Sequence, residues 1–309
     1  MRLDSFSARK RFLTIGQAKV AYYEEGGGDP LVLLHGCPFS SYIWRKVTPL
    51  LAPSYRCLAP DLLGLGDTET SGNADWSLRA QAAMIVGLLE ALGLERVHVV
   101  GHDHGGAVAQ LLAAEHPERI DRLVIMNAEA YDNWPSPAER PLLRLTQIPV
   151  LGSLAFRLWS LRPLLRLTLA EGKAVRNPEV LTAELLDGYI RANLSDRHRR
   201  RKLKRFLTGQ LDPQNNRVTT ELLDGLKRFK RPTLLIWATE DPHFGPKWGE
   251  RLRADIPGAV RLELVPDAGH LLMEERPNRV AELIGGFLAE PLAEPRSRHS
   301  FAVPGAAGG

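Results

Sequence analysis

Long apolar runs, cysteine and net charge are all scarce in this chain, and each scarcity closes off a class of protein. No apolar stretch among the 309 residues approaches the roughly 20 needed to span a bilayer. The opening residues, MRLDSFSARKRFLTI, show no continuous apolar core of the kind that marks a secretory leader. Only two cysteines occur, Cys37 and Cys57. One is expected in a loop and the other within a strand, so they build neither a disulfide framework nor a metal site. The formal charge of +4 is small for this length and does not by itself call for an anionic partner. A cytoplasmic protein without membrane or nucleic-acid partners is the expectation.

What is present is an ordinary globular composition, 44% apolar and 25% charged, long enough for one large α/β domain with an insertion. Strands are expected at Arg11 to Gly16, Lys19 to Glu24, Leu31 to Leu34, Tyr55 to Pro60, Val97 to Val100 and Arg122 to Asn127. Helices are expected at about Tyr42 to Leu51, Ser77 to Leu92 and Ala107 to Ala114. This alternation argues for a parallel sheet covered on both faces. From Tyr131 to about Asn216 the alternation gives way to Leu, Arg and Pro at helical spacing, a helical insertion. It returns with the strands Thr233 to Ala238 and Val260 to Val265 and the helices near Trp248 to Ala254 and Pro277 to Leu288. The core is therefore assigned to 1–130 and 217–290, the cap to 131–216, and a disordered tail to 291–309.

The chain is organised around RVHVVGHDHGGAVAQLL, residues 96–112. Valines of a buried strand lead into Gly101-His102-Asp103-His104-Gly105-Gly106, and a small-residue helix follows. A strand, a glycine-flanked turn and a helix are the setting of a nucleophile elbow. Its central residue is Asp103, where the commoner pattern has Ser. Asp241 and His270 each follow an expected strand, which gives the chain order nucleophile, acid, histidine. Glu240 sits one place early for the acid role. Asn127 occupies the end of the strand before the insertion, with Glu129 nearby. His35 and His102 read as structural hydrogen-bonders. His102-Asp103-His104 resembles part of a metal-ligand cluster, but no H-x-x-x-H or C-x-x-C companion supports it, so neither metal nor cofactor is expected.

These residues, with His35-Gly36-Cys37-Pro38 through Trp44-Arg45 and Ala59-Pro60-Asp61 through Gly66-Asp67, resemble α/β-hydrolases of the haloalkane dehalogenase and epoxide hydrolase branch. The resemblance runs from about Lys19 to Leu288. It implies an eight-stranded, mostly parallel sheet flanked by helices, with the cap inserted after the sixth strand. It also implies that Asp103 attacks an sp³ carbon and becomes an alkyl ester. His270, oriented by Asp241, would then activate the water that hydrolyses it. The backbone N–H groups of Cys37 and His104 would hold the oxyanion. The substrate would be small and apolar, with water as the second reactant.

The resemblance implies a halide leaving group, as in a haloalkane dehalogenase, with epoxide hydrolysis by the same ester mechanism as the alternative. Halide binding in the resembling family uses a Trp after the nucleophile and a second N–H donor, whereas His104 and Cys37 stand at those places. Trp159 (or Trp134) could be the second donor, with Phe156, Leu158 and Trp159 lining the pocket. An epoxide hydrolase needs acids on the cap, normally two tyrosines, and Tyr189 is the candidate inside the insertion, with Tyr131 at its border. A fluoroacetate-type reading would place arginines where His104 and Ala107 stand. A non-catalytic α/β-hydrolase that binds a small apolar ligand is the reading from another class, opposed by the complete Asp103, Asp241, His270 set. The insertion carries 15 Lys and Arg against 8 Asp and Glu. Much of the excess lies in 197–205, which reads as a solvated helix face because no stacking aromatics interleave with the charges.

Overall fold

Strands with no polar face have to be covered on both sides, and they occupy the middle of the sheet. In the computed structural model, which describes residues 3–136 and 139–291, Leu31 to Leu34 and all of Val97–Asp103 and Thr233–Ala238 are buried. The strands are β1 (Lys10–Ile15), β2 (Ala18–Glu25), β3 (Asp29–Leu34), β4 (Tyr55–Pro60), β5 (Val97–Asp103), β6 (Ile120–Ala128), β7 (Thr233–Ala238) and β8 (Ala259–Val265). They form one sheet in the order β1-β2-β4-β3-β5-β6-β7-β8. β2 runs antiparallel to both β1 and β4, and every other pair is parallel. The carboxyl ends of β3, β5, β6 and β7 therefore gather along one edge, where loops carry side chains clear of the sheet.

The strands and long helices expected from the sequence lie within two residues of their observed positions except at the elbow, where the strand runs on from Val100 to Asp103 and the helix starts at His104 rather than Ala107. The first expected helix differs: it is a 3₁₀ turn, Ser41–Trp44, followed by the short helix Thr48–Leu51. Between them fall Arg45, Lys46 and Val47, and Pro49 sits in the first turn of the second piece. The N-terminal helix Leu3–Ala8, anchored by buried Phe6 stacked on Tyr23 at 4.2 Å, had no periodicity long enough to announce it. Between β6 and β7 the described residues form helices and turns alone, including Pro149–Trp159, Arg162–Glu171, Ala183–Asn193 and Arg197–Gly209. The boundary expected at 216 falls inside the helix Pro213–Glu221. The tail assigned to 291–309 lies, beyond Pro291, outside the described residues.

The basic stretch 197–205 is bonded to the core rather than simply solvated. Arg199 meets Asp67 at 2.6 Å, and Lys202 donates to the carbonyls of Gly66 and Thr68. Arg205 bonds the carbonyls of Gly72 and Ala74 while its guanidinium lies 4.1 Å over the Trp76 ring. Beneath this seam the ammonium of Lys10, 5% exposed, is held between Asp61 and Asp67. Asp61 also accepts from the backbone N–H groups of Ser41 and Asp67. Removing one partner from a buried ion pair leaves a desolvated charge without compensation, at a cost of about 3–5 kcal/mol. Lys10→Met is accordingly expected to lower unfolding free energy by about that amount, measured by urea denaturation at neutral pH. An unchanged midpoint would show that the backbone donors alone sustain Asp61.

Candidate active site

The elbow forms because β5 runs straight into the helix His104–Glu115 with no linker. The turn is made by Asp103 itself, at φ 56° and ψ −123°. A non-glycine residue held there costs of order 1–3 kcal/mol, so its surroundings must impose it. Close packing imposes it. A Cβ on Gly105 would lie 2.5 Å from the carbonyl oxygen of Leu34, and one on Gly36 would strike the Asp103 carboxylate. The absence of both lets the β3 loop and the helix close around the nucleophile.

The carboxylate of Asp103 is buried, and its Oδ1 accepts from the backbone N–H of Cys37 at 2.7 Å. The backbone N–H of His104 also donates to it. Its other oxygen, Oδ2, lies 3.4 Å from Nε2 of His270. Nδ1 of His270 meets Asp241 Oδ2 at 2.9 Å. Asp241 is fixed in turn by the backbone N–H groups of His243 and Phe244 on Oδ1 and by the Asn127 amide on Oδ2. The Asn127 carbonyl oxygen accepts from the backbone of Ala238 at 2.9 Å. Asn127, read from the sequence only as the place of an alternative acid, thus orients the acid that is present. Glu240 turns away and pairs with Arg176.

Burial works against charge on all three groups, and their mutual pairing outweighs it. The Asp103 carboxyl lies below the usual range because His270 donates to it and carries positive charge beside it. Asp241 is held well below that range by His270 and its N–H donors. His270, flanked by two carboxylates, is pushed up to about 10 despite burial. At neutral pH Asp103 is therefore ionised and His270 an imidazolium. Without the charge on Asp103, His270 would lose one of the two anions that raise its pKa.

His102 and His104 face apart. Burial brings His102 down to about 3, and the neutral ring donates from Nε2 to the carbonyl of His270 at 3.0 Å. His35, lowered by burial to about 4, accepts the N–H of Leu62 on Nε2 and donates from Nδ1 to the Gly36 carbonyl. Both brace the loops that carry the site. The His104 ring meets buried Glu129 with Nδ1 at 2.9 Å and packs edge-on against Phe206, while its Nε2 has no hydrogen-bond partner among the described residues. Burial raises the Glu129 carboxyl, while Glu129 raises His104 against the opposing effect of burial, so the two share a proton.

A cavity of about 470 Å³ opens over His270, walled by Pro38, Phe39, Trp159, Leu165, Leu169 and Tyr189 among others. Trp159 and Tyr189 are thus at the cavity as expected. Phe156 stands behind Trp159, with ring centroids 5.4 Å apart, and Leu158 is 41% exposed on the opposite side of its helix. The Tyr189 hydroxyl donates to Glu274, which Arg45 and Lys46 also hold. Glu139 was not anticipated. Its carboxyl is on the cavity wall, accepts from the Ser136 hydroxyl at 2.8 Å and lies 3.6 Å from His243 Nδ1. Burial, with the charge of Asp103, pushes its pKa up to about 8. No sequence pattern singles out this glutamate, because its position over the cavity depends on how the insertion folds back.

The charge on Asp103 sets two measurable pH effects. In Asp103→Asn the His270 titration midpoint, followed by NMR, should fall from about 10 toward the ordinary imidazole value of about 6.5. His270 binds its proton more tightly in the folded than in the unfolded protein. Its contribution to stability is therefore full below about pH 6.5 and fades as pH rises toward 10. The variant should lose that fading at high pH, and a midpoint still near 10 would show that Asp103 does not set it.

Comparison with known proteins agrees with this fold. Residues 29–277 match the family of the alpha/beta hydrolase fold. The chain is 30% identical over 291 residues to the uncharacterized hydrolase YugF of Bacillus subtilis, covering 93% of this chain and 100% of that protein. It is 29% identical over 279 residues to haloalkane dehalogenase 2 of Mycobacterium tuberculosis, covering 89% and 93%. The solved epoxide hydrolase CorEH superposes with a TM-score of 0.75 at 26% identity, covering 91% of this chain and 98% of that one. The chain belongs to the α/β-hydrolase fold family and is a hydrolase.

Proposed function

We propose that this hydrolase uses Asp103 as its nucleophile and opens a strained ring oxygen, as in an epoxide, on a small apolar substrate. The observation that carries the choice of leaving group is the Glu139 carboxyl on the cavity wall, raised to about 8 and so protonated at neutral pH. An opening ring oxygen needs a proton, and a positioned neutral acid supplies it. A departing halide asks instead for N–H donors in an apolar pocket. Of the two donors expected from the sequence, Trp159 lines the cavity, and the His104 ring commits its Nδ1 to Glu129.

In this reading Asp103 Oδ2 attacks the ring carbon, the carbon–oxygen bond breaks, and Glu139 gives its proton to the leaving oxygen. Oδ1 remains against the Cys37 N–H, where negative charge gathers when water attacks the ester carbonyl. His270 Nε2, 3.4 Å from Oδ2, is placed to take the proton of that water. Its own imidazolium proton passes first, through solvent in the cavity, to the Glu139 carboxylate left by ring opening; the proton taken from water then restores the imidazolium, and the departing alcohol carries off the proton of the re-formed Asp103 carboxyl. Cys37 contributes its backbone, since burial pushes its thiol well above the ordinary value.

Haloalkane dehalogenation is the second reading, favoured by Trp159 on the cavity wall and by the dehalogenase relative. It shares every step except proton delivery. Styrene oxide and a short dibromoalkane separate the two, with diol and bromide as the readouts. Diol formation is expected, with Asp103→Ala inactive and Glu139→Gln lowering kcat by about 10²–10⁴-fold. Bromide release that survives Glu139→Gln would select dehalogenation instead. In His270→Phe the alkyl ester should accumulate on Asp103 and add the substrate's mass to the intact protein. Turnover by Asp103→Ala would contradict the nucleophile assignment under either leaving group.

A further inference from the structure

Soluble monomers scatter their exposed apolar side chains, and a contiguous patch marks a binding surface. Among the described residues, seven of the eleven strongly exposed large apolar side chains fall between positions 148 and 167. On the helix Pro149–Trp159, Val150, Leu151, Leu154 and Leu158 recur at the spacing of one helix face and are 77%, 52%, 49% and 41% exposed. Gly152 and Phe156 fill the opposite, buried face. Leu161 and Leu167 continue the stripe at 52% and 55%, onto the helix Arg162–Glu171. Both sides of the first helix are apolar, and only one faces protein.

The charges around this stripe have a single sign. Residues 140–170 contain Arg140, Arg144, Arg157, Arg162 and Arg166 and no Asp, Glu or Lys. All five arginines are exposed. Arg162 pairs with Asp187, while among the described residues Arg144 and Arg157 make no ion pair. A helix pair with an exposed apolar face edged by arginines fits an anionic lipid surface, with the apolar side chains in the acyl boundary and the guanidinium groups at the headgroups. Pairing with a second copy fits less well. A two-fold interface brings the same patch against itself and would set arginines against arginines.

We propose that the outer face of 148–167 seats this protein on anionic lipid surfaces. The same two helices wall the cavity from within through Trp159, Leu165 and Leu169, so a substrate partitioned into lipid would lie beside the cap. The expectation of no membrane partner rests on the lack of a spanning run. No described helix is long and apolar enough to cross a membrane, and a peripheral seat requires none. The proposal concerns location and is independent of the leaving group.

The full chain should be sedimented with vesicles of phosphatidylcholine alone and of an equimolar mixture with phosphatidylglycerol. Binding is expected to the anionic vesicles, weakening as salt rises. Leu154→Glu with Leu158→Glu should weaken it at least about tenfold, and Arg144→Gln and Arg157→Gln about fivefold each, by loss of roughly 1 kcal/mol per cation. Circular dichroism and turnover of a water-soluble substrate should stay at wild-type level in all four substitutions. No binding of the wild type to anionic vesicles overturns the proposal, as does equal binding by the glutamate variant. A wild-type dimer in solution that the glutamate variant dissolves also overturns it, by assigning the patch to a second copy.

Discussion

A buried carboxylate with nothing beside it takes up a proton, and the pairing around Asp103 works against that outcome. The contact between Asp103 and His270, with Asp241 behind it, keeps charge on three side chains that are each at most 5% exposed. The fold serves this contact. β5 delivers Asp103, the loop after β7 delivers Asp241 and the loop after β8 delivers His270. Asn127, at the end of β6, ties Asp241 to the backbone of β7. Four neighbouring parallel strands thus set the spacing of the charges, and the insertion braces the loops: Leu271 donates to the Ala174 carbonyl, and Asn193 bonds the carbonyls of Pro38 and Phe39.

In the proposed reaction the same contact makes the site change character. With Asp103 ionised, His270 is an imidazolium and cannot accept a proton. Esterification of the carboxylate would remove that anion and release the histidine to act as base in the step that needs one. Glu139 follows the opposite rule: burial and the charge of Asp103 raise its carboxyl, and the opposing effect of His270 does not outweigh them. Two neighbouring carboxyl groups are held in different protonation states by what surrounds them.

The parts of this structure legible in the sequence are those fixed by short-range rules. Val97 to Gly106 spells strand, turn and helix, and Leu31 to Leu34 spells a buried strand. Asp241 and His270 could be placed because each follows such a strand. Side chains whose role depends on packing between distant elements were not legible. His104 turns its Nδ1 to Glu129 across the β5 and β6 edge, a partner that no spacing in the sequence announces. Phe156 stands behind Trp159, and helical spacing could not tell cavity face from core face in a helix apolar on both sides. Glu139 approaches the site only through the fold of the insertion, and Asn127 looked like a missing acid until its amide was seen on Asp241.

The most direct test of Asp103 as the nucleophile is turnover in heavy-oxygen water, followed by mass analysis of the peptide that carries it. An ester on Asp103, hydrolysed by attack on its carbonyl carbon, leaves solvent oxygen in that carboxylate. Label is expected in this peptide after turnover and none without substrate. Label found in the product during a single turnover, with the peptide left unlabelled, would mean that water attacks the substrate directly and would contradict a nucleophilic Asp103.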